Sequence, residues 1–583
     1  MINLHLSLYG SFFLFLSAFF YTNTAAANST ADSAFLKLAN EYFDTYYFPT
    51  YPTLATQLGI HTYDNQIEDY SKAGIDHDIN ALKKFEERVS KVNPSQLSLQ
   101  IQGDRDLVLN DIRSQLLTLQ RIQPWQKNPD YYSSGITSSA FVIMERKFAP
   151  PEDRLRALIA REKLMPGVLQ EAHHLLKNPP KIYTQIALEQ LPGLISFFQK
   201  DVPAAFNNVT DPSLQKQFND SNAAVIGALT EYQQWLKTDV LPQSHGDYRI
   251  GKEVFLKKLK YDEMVDMPLD KLIAIDTKNM RENQNEFKRI ANELYPGKPL
   301  SDVLNEINSQ HPQADKLLDV FRGTFDNLIS FIKDKKIITI PSDVRPIMEE
   351  TPPFLRSITF ASMDTPGPFE KNANEAYFNV TLPNPAWDKK MTEEFMSQFS
   401  YPSISSVAIH EAYPGHYVQF LWMHDVHDRV RKILGARSNA EGWAHYCEQM
   451  MLDEGYSGKD ERDTKMLRLG ELLNALLRNA RFIVGIQMHT GHMSMDDAVA
   501  YFVKEGYMPR QAAIVEVKRG ISDPTYLYYT LGKLQILKLC ADLQKKEGAA
   551  FDLRQFHDDF MKQGFPPIKI VRRALLGNDS QTL

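Results

Sequence analysis

Apolar residues recur at intervals of three and four along most of the chain. The segment Ala34 to Phe43 shows this spacing, and residues 151–176, 211–236, 268–294 and 314–333 repeat it, which predicts amphipathic helices. Pro179-Pro180, Pro242, Pro296-Gly297 and Pro341 separate these stretches as turn signals. One region departs from the helical period. Ser357 to Phe360 and Glu375 to Leu382 are rich in β-branched and aromatic residues and flank Pro366-Gly367-Pro368, a pattern that predicts short strands. Helical periodicity resumes after Met391 and runs to the end. The pattern therefore predicts a mainly α fold with one small sheet. It also places a division near residue 340, and it contains no fixed-period repeat.

The N-terminus reads differently. Leu6 to Tyr21 is continuously apolar, short for a membrane span, and is followed by Ala25-x-Ala27. This predicts a signal peptide over residues 1–27, removed on export to the periplasm or beyond, with residues 28–583 as one mature unit. The stretch before it carries no Lys or Arg, so an uncleaved anchor is the competing reading. No Cys lies near the cleavage point, which argues against a lipid anchor. No later run is long enough to span a bilayer, so no stable membrane association is expected after cleavage.

Composition changes little in this picture. The 583 residues are 43% hydrophobic and 23% charged, with a formal net charge of -7, which is ordinary for a globular chain. No basic block offers a nucleic-acid footprint. The two cysteines, Cys447 and Cys540, sit in helical patterns. They read as core thiols, with a single disulfide as the other option.

The chemistry concentrates in His410-Glu411-Ala412-Tyr413-Pro414-Gly415-His416. Two histidines four apart, with Glu after the first, share a helical face and bind zinc. Here the histidines are six apart, about 600° of a regular helix, so the strict pattern fails. Pro414 and Gly415 offer a rescue. Proline breaks the helix and glycine accepts the backbone angles that follow, so two residues can loop out and return His416 to His410. Ser403, Ser405 and Ser406 are the expected caps of the preceding helix. Downstream, Glu441, His445 and Glu448 share one helical face. His410, His416 and Glu441 form the expected ligand set of a catalytic zinc site, one ion per chain, with manganese and cobalt left open. Glu411 is the expected general base. Glu448 is expected to orient a ligand histidine from behind, and His445 is either a similar support or a rival ligand.

Two lookalikes fail. Gly246 to Lys252 nearly spells a phosphate loop, but Glu253 follows where a hydroxyl is needed. There is no G-x-S-x-G nucleophile elbow.

The segments H-E-A-Y-P-G-H and E-G-W-A-x-Y-x-E, together with Leu58-Gly-Ile-His-Thr-Tyr-Asp64 and Phe551 to His557, resemble the bacterial family catalogued as domain of unknown function 885. That family in turn resembles zinc peptidases of the thimet oligopeptidase, angiotensin-converting enzyme and carboxypeptidase Taq type. The resemblance implies a large helical zinc-peptidase-like fold with a small β-sheet beside a deep active-site channel, acting on unfolded peptides. It implies that Tyr377 to Val380 is the strand that pairs with substrate backbone, so that Tyr377 and Asn379 bind substrate. It implies an oxyanion-binding tyrosine near the metal, with Tyr529 the candidate and Tyr526 and Tyr528 its rivals. His489 and Arg519 are implied as substrate-binding, with Arg481 and Arg519 either binding a substrate carboxylate or building the wall through ion pairs. The chain departs from the family pattern at Gly485, Gln487 and Tyr417. Two other functions remain open at this level: a metal-containing binding protein without turnover, and a zinc hydrolase of a non-peptide amide or ester. The oligomeric state is not legible.

Overall fold

The structure, a computed structural model, describes residues 30–351, 356, 360–426 and 428–583. The expected signal peptide and residues 357–359 of the first expected strand lie outside the described residues. Phe360 is a bend.

The helical period is realised almost throughout. Residues 30–42 form a helix that buries Phe35, Ala39 and Tyr42. The stretch 151–176 is two helices, Pro151–Glu162 and Met165–Leu175, rather than one. Pro166 stands in the first turn of the second helix, where its missing N–H costs nothing, so the chain restarts there.

The elements that build the site follow in chain order. Helix α1 spans Leu269–Leu294 and α2 spans Leu317–Lys335. Strands β1 (Ile347–Glu350), β2 (Ala361–Asp364) and β3 (Tyr377–Val380) form a sheet of order β1-β3-β2. β3 is parallel to β1 and antiparallel to β2. Then come α3 (Tyr401–Glu411), α4 (His416–Trp422), α5 (Arg437–Asp453), α6 (Glu461–Thr490), α7 (Arg510–Ser522) and α8 (Tyr528–Glu547).

The expected strand over 375–382 is β3, and its buried Phe378 packs against Phe321 and Phe325 of α2. β1 and β2 are short, and neither side face is fully buried. Their residues lack the alternation that marks a strand, and pairing with β3 supplies the order that local pattern does not.

The expected division near residue 340 has no counterpart in the packing. Leu317, Phe321, Phe325 and Ile338 share one core with Ile404, Ile409, Trp443 and Met451. Phe255 and Leu272 pack with Phe482 and Leu531, and Phe287 and Ile290 of α1 pack with Leu469 of α6. The N-terminal helices are also tied to the far end of the chain, since Phe35, Phe48 and Val108 pack with Val430 and Ile570. Cys447 and Cys540 are free thiols on that first core, as expected of core residues. No helix among the described residues is long and apolar enough to cross a membrane.

Candidate metal centre

Helix α3 begins at Ser400, whose hydroxyl accepts from the Ser403 N–H at 3.4 Å. None of the expected caps serves, because Pro402 sets the helix start earlier. α3 ends at Glu411, and the chain turns through Ala412 to Gly415 before α4 starts at His416. A Cβ on Gly415 would stand 1.8 Å from the His410 carbonyl oxygen. Only glycine allows the chain to fold back that closely. The Gly415 N–H donates to the Ile409 carbonyl at 3.0 Å, and the Trp443 indole donates to the Pro414 carbonyl at 2.9 Å. The six-residue offset therefore closes: the His410 and His416 rings lie 4.9 Å apart at 87°.

Glu441 comes from α5, and a pair of glycines sets its depth. A Cβ on Gly442 would stand 2.4 Å from the Gly532 Cα, and one on Gly532 would stand 1.9 Å from the Ser438 carbonyl oxygen. Helices α5 and α8 thus cross backbone against backbone, which carries Glu441 up to Tyr529. Glu441 Oε2 lies 3.3 Å from His410 Nε2 and 3.4 Å from His416 Nε2. These three side chains are the one group of potential metal ligands found among the described residues. Donors on a tetrahedron with bonds of about 2.0–2.1 Å stand about 3.3 Å apart, and the two histidine–glutamate spacings match that, with all three ligand atoms within 4.8 Å of one another. Burial works against ionisation of Glu441, but the two imidazoles hold its carboxyl well below the usual range.

Glu448 lies beneath His410. Its Oε1 is 2.7 Å from His410 Nδ1, and its Oε2 accepts from Ser406 Oγ at 2.7 Å. Arg478 approaches the same carboxylate at 3.1 Å. Burial is opposed by that guanidinium and the histidine bonds, so Glu448 also stays well below the usual carboxylate range. A carboxylate on Nδ1 fixes the proton there and leaves Nε2 as the donor atom facing Glu441. Burial lowers the His410 imidazolium, but Glu441 and Glu448 outweigh it and raise the group to about 9. His445 is buried behind, 3.5 Å from Glu448 Oε1. It supports that carboxylate and is not among the grouped ligands.

A cavity of about 480 Å³ opens onto the cluster and is lined by His410, Glu411, His416, Glu441, Asn474, Arg478, Arg481, Arg519 and Tyr529, among others. Glu411 follows His410 at the end of α3, half-buried and on the cavity wall. Ser362, Met363, Phe420 and Ala440 belong both to this cavity and to an adjoining cleft of about 970 Å³. The two cavities adjoin at these residues.

Of the three candidate tyrosines, Tyr529 is the one that lines the metal cavity. The Tyr529 hydroxyl donates to Glu441 Oε1 at 3.2 Å and accepts from Arg519 at 2.8 Å. Burial and Glu441 raise its pKa against the nearby arginines, so the phenol keeps its proton. Tyr526 is fully buried, with its ring in the space beside Gly485 and Gly520. The departure at Gly485 thus makes room for that ring. Tyr528 donates to Asp523 at 2.9 Å. Tyr417, the departure beside His416, donates to the Val344 carbonyl at 2.7 Å and leaves His416 as the second histidine of the cluster.

The backbone pairing implied for β3 and the substrate contact implied for His489 need correction. β3 is the central strand, with partners on both sides, so it has no edge to offer a peptide backbone. The edge strand on the metal cavity is β2, through Ser362 and Met363. Tyr377 and Asn379 reach only the adjoining cleft with their side chains. His489 is fully buried, its Nε2 is 2.8 Å from the Gly520 carbonyl, and burial lowers it to about 4. It lies outside both lining sets and holds α7 from behind. Arg481 forms a two-pronged pair with Glu516 at 2.7 and 2.8 Å, as a wall residue would.

Sequence reasoning missed Ser406, Asn474 and Arg478. Arg478 lies three residues before Arg481, hence on the same helical face, and that spacing was a usable signal. Nothing in the sequence points Ser406 at a residue 42 positions away.

A search of curated proteins finds no match. Among solved structures, one described as "a putative lipoprotein of unknown function" from Shewanella oneidensis superposes with a TM-score of 0.78 at 25% identity, over 92% of this chain and 99% of that one. A second, described as "the putative lipoprotein" from Colwellia psychrerythraea, superposes at 0.77 with 16% identity, over 94% and 99%, and shares the fold. The model of the family described as bacterial protein of unknown function (DUF885) matches residues 52–575. The chain belongs to that family.

Proposed function

We propose that this chain is an exported zinc-dependent peptidase acting on unfolded peptides. One observation carries the reading. Two imidazole nitrogens lie 3.3 and 3.4 Å from one carboxylate oxygen at the wall of a cavity, with a further carboxylate fixing the tautomer of His410. That is the two-histidine, one-glutamate donor set of hydrolytic zinc sites. Export is supported by the apolar N-terminal run before Ala25-x-Ala27 and by the lipoprotein descriptions of the two similar structures.

His410, His416 and Glu441 would hold the ion, and zinc bound there supplies Lewis acidity to a carbonyl and to water. Glu411, on the cavity wall beside His410, takes a proton from the attacking water and delivers it to the departing amine. Tyr529 turns its single O–H from Glu441, to which it donates at 3.2 Å, and donates a hydrogen bond to the oxyanion that develops on the scissile carbonyl. Arg519, donating to the phenol oxygen at 2.8 Å, holds the hydroxyl in place. The edge of β2 along the cavity suits an extended peptide, because backbone pairing tolerates varied side chains.

The test pairs metal content with turnover. The purified mature protein is expected to retain about one zinc per chain and to cut a peptide library. Glu411→Gln is expected to keep the zinc and lose at least about a hundredfold in rate. Full hydrolysis by that variant would sink the assignment of the base. Absence of retained zinc after the metal is offered back would sink the whole reading.

A further inference from the structure

We propose that the larger cleft carries a subsite for a cationic side chain of the substrate, a lysine or arginine a few residues from the cut bond, held by Asp364, Glu145 and Asn379. The inference rests on the peptidase reading and names its substrate class.

The small sheet builds the wall of this subsite. Register places Glu349 of β1 and Ser362 of β2 on either side of Asn379, and Asp364 of β2 beside Tyr377. Side chains alternate along a strand, so these residues share the face opposite Phe378, and all of them line the cleft. Glu145, the last residue of the helix Asp130–Glu145, lines the cleft with them and hydrogen-bonds to Asp364. The charges on this wall do not balance. Arg146 pairs with Asp364 and gives its other branch to the Glu375 carbonyl at 2.6 Å. The exposed Lys147 offsets Glu349. Elsewhere in the lining, Arg431 is paired with Asp104 and Arg437 with Asp523, which leaves Asp201 against Lys432. The acid in excess is therefore in the Glu145–Asp364 pair.

Asn379 is the independent sign of a ligand. It is 4% exposed, and among the described residues no donor reaches its buried Oδ1. A buried acceptor without a donor is costly. An ammonium or guanidinium brings several donors, enough to serve this oxygen and the acid pair together. Position follows from β2, whose Ser362 and Met363 also line the metal cavity. A strand rises about 3.3 Å per residue, so Asp364 stands close to that cavity along the edge on which the peptide is laid.

The acid pair also sets how the cation enters. Burial and the neighbouring Asp364 raise Glu145, and burial raises Asp364 against the pull of Arg146. Without a cation the pair therefore shares a proton near neutral pH. A bound cation replaces that proton, which passes to solvent, so uptake of a basic residue strengthens as pH rises.

The experiment uses the zinc-loaded mature protein and N-acetylated, C-amidated peptides in which one lysine is walked along a fixed sequence, with norleucine in the same place as the uncharged control. Products are read by mass spectrometry. One lysine position is expected to exceed norleucine by about 10–100-fold in kcat/KM, chiefly through KM, the size of a charged hydrogen bond. Glu145→Gln keeps the neutral shape of the pair and is expected to bring that ratio to within a few-fold, and Glu349→Gln to lower it less. Binding of the same peptides to Glu411→Gln, measured by calorimetry in two buffers of different ionisation enthalpy, is expected to release a proton with lysine and none with norleucine. Equal cleavage and equal binding of lysine and norleucine at every position would overturn the subsite and leave the peptidase reading standing. A preference that appears only when the N-terminus is left free would overturn the side-chain assignment in favour of the α-amine. Selective binding of the lysine peptide without cleavage by the parent protein would uphold the subsite and overturn the peptidase reading. Neither binding nor cleavage would overturn both.

Discussion

Among the described residues, two histidines each sit between two carboxylates, and only one of them belongs to a candidate site. His61 places Nδ1 3.0 Å from Asp64 and Nε2 2.9 Å from Glu370, with its ring stacked on Phe148 at 3.9 Å. Both nitrogens are engaged and one ring face is covered, so the group ties residues 61–64 to Glu370, 309 positions away. His410 also has a carboxylate on each nitrogen, Glu448 and Glu441. The difference is that Glu441 is shared with His416, and the shared point faces a cavity. An acid on each nitrogen makes a staple. A second imidazole converging on the outer acid, beside open space, makes a place for a cation. An imidazole between two acids is common to both, and convergence separates them.

Zinc should break the symmetry of the pair most strongly. At a thousandfold excess over Kd, a ligand of the folded state stabilises it by about 4 kcal/mol. A calorimetric or fluorescence melt with and without zinc is expected to show that shift in the parent protein and in His61→Gln, and to show none in His416→Ala or Glu441→Ala. A zinc-dependent shift that survives both ligand substitutions would place the metal elsewhere.

The next effect tests how the outer acid reaches its place. Gly442→Ala sets a methyl against the Gly532 backbone, where no side chain can swing aside, and is expected to cost about 3 kcal/mol and to weaken zinc retention as Glu441 moves off. Unchanged stability would mean that the two helices separate without strain.

Glu448→Gln keeps the shape behind His410 and removes its charge. Zinc affinity is expected to fall about 10–100-fold, as for other partners of ligand histidines, read by competition with a chromophoric chelator. The corresponding substitution at the other histidine, Glu370→Gln, should leave zinc affinity alone.

The smallest effect belongs to the staple. His61→Gln is expected to lower stability by about 1 kcal/mol, and the loss should depend on pH. Burial opposes the His61 imidazolium, but Asp64 and Glu370 outweigh it and raise its pKa above the unfolded 6.5. Its contribution is therefore complete below pH 6.5 and fades as pH rises through the folded value. Chemical denaturation of parent and variant at pH 6 and pH 9 should show the larger gap at pH 6. A larger gap at pH 9 would mean that the neutral ring is the stabilising form.

Much of the fold was legible because helical burial repeats locally. Phe35, Ala39 and Tyr42 recur at the spacing that buries one face, and that face is buried. β1 and β2 were not legible. Ile-Met-Glu-Glu and Ala-Ser-Met-Asp have no strand alternation, and only pairing to β3 gives them their form. The helix cap moved to Ser400 because Pro402 sets the entry geometry, and the break at residues 163–164 follows from Pro166. Both were readable and were outweighed by the run of helical period around them.

In the metal corner the sequence determined the residue types and the device that unites them. Pro414 and Gly415 forbid a regular helix between His410 and His416, and glycine at 415 is the residue whose backbone can press on the His410 carbonyl. Those are local facts of covalent geometry, and they predict that the offset closes. Tertiary structure alone decided the rest. Which tyrosine meets Glu441 depends on the contact of Gly442 with Gly532, which lie 90 positions apart. Which strand borders the cavity depends on sheet order, and strand composition does not encode order. His489 was turned from the site because α6 buries it against Gly520, whereas Arg519, one residue before that glycine, reaches the cavity. Local sequence specifies what a side chain can do. The packing of distant helices decides which atoms it can reach, because contacts between remote segments arise only when the whole core closes.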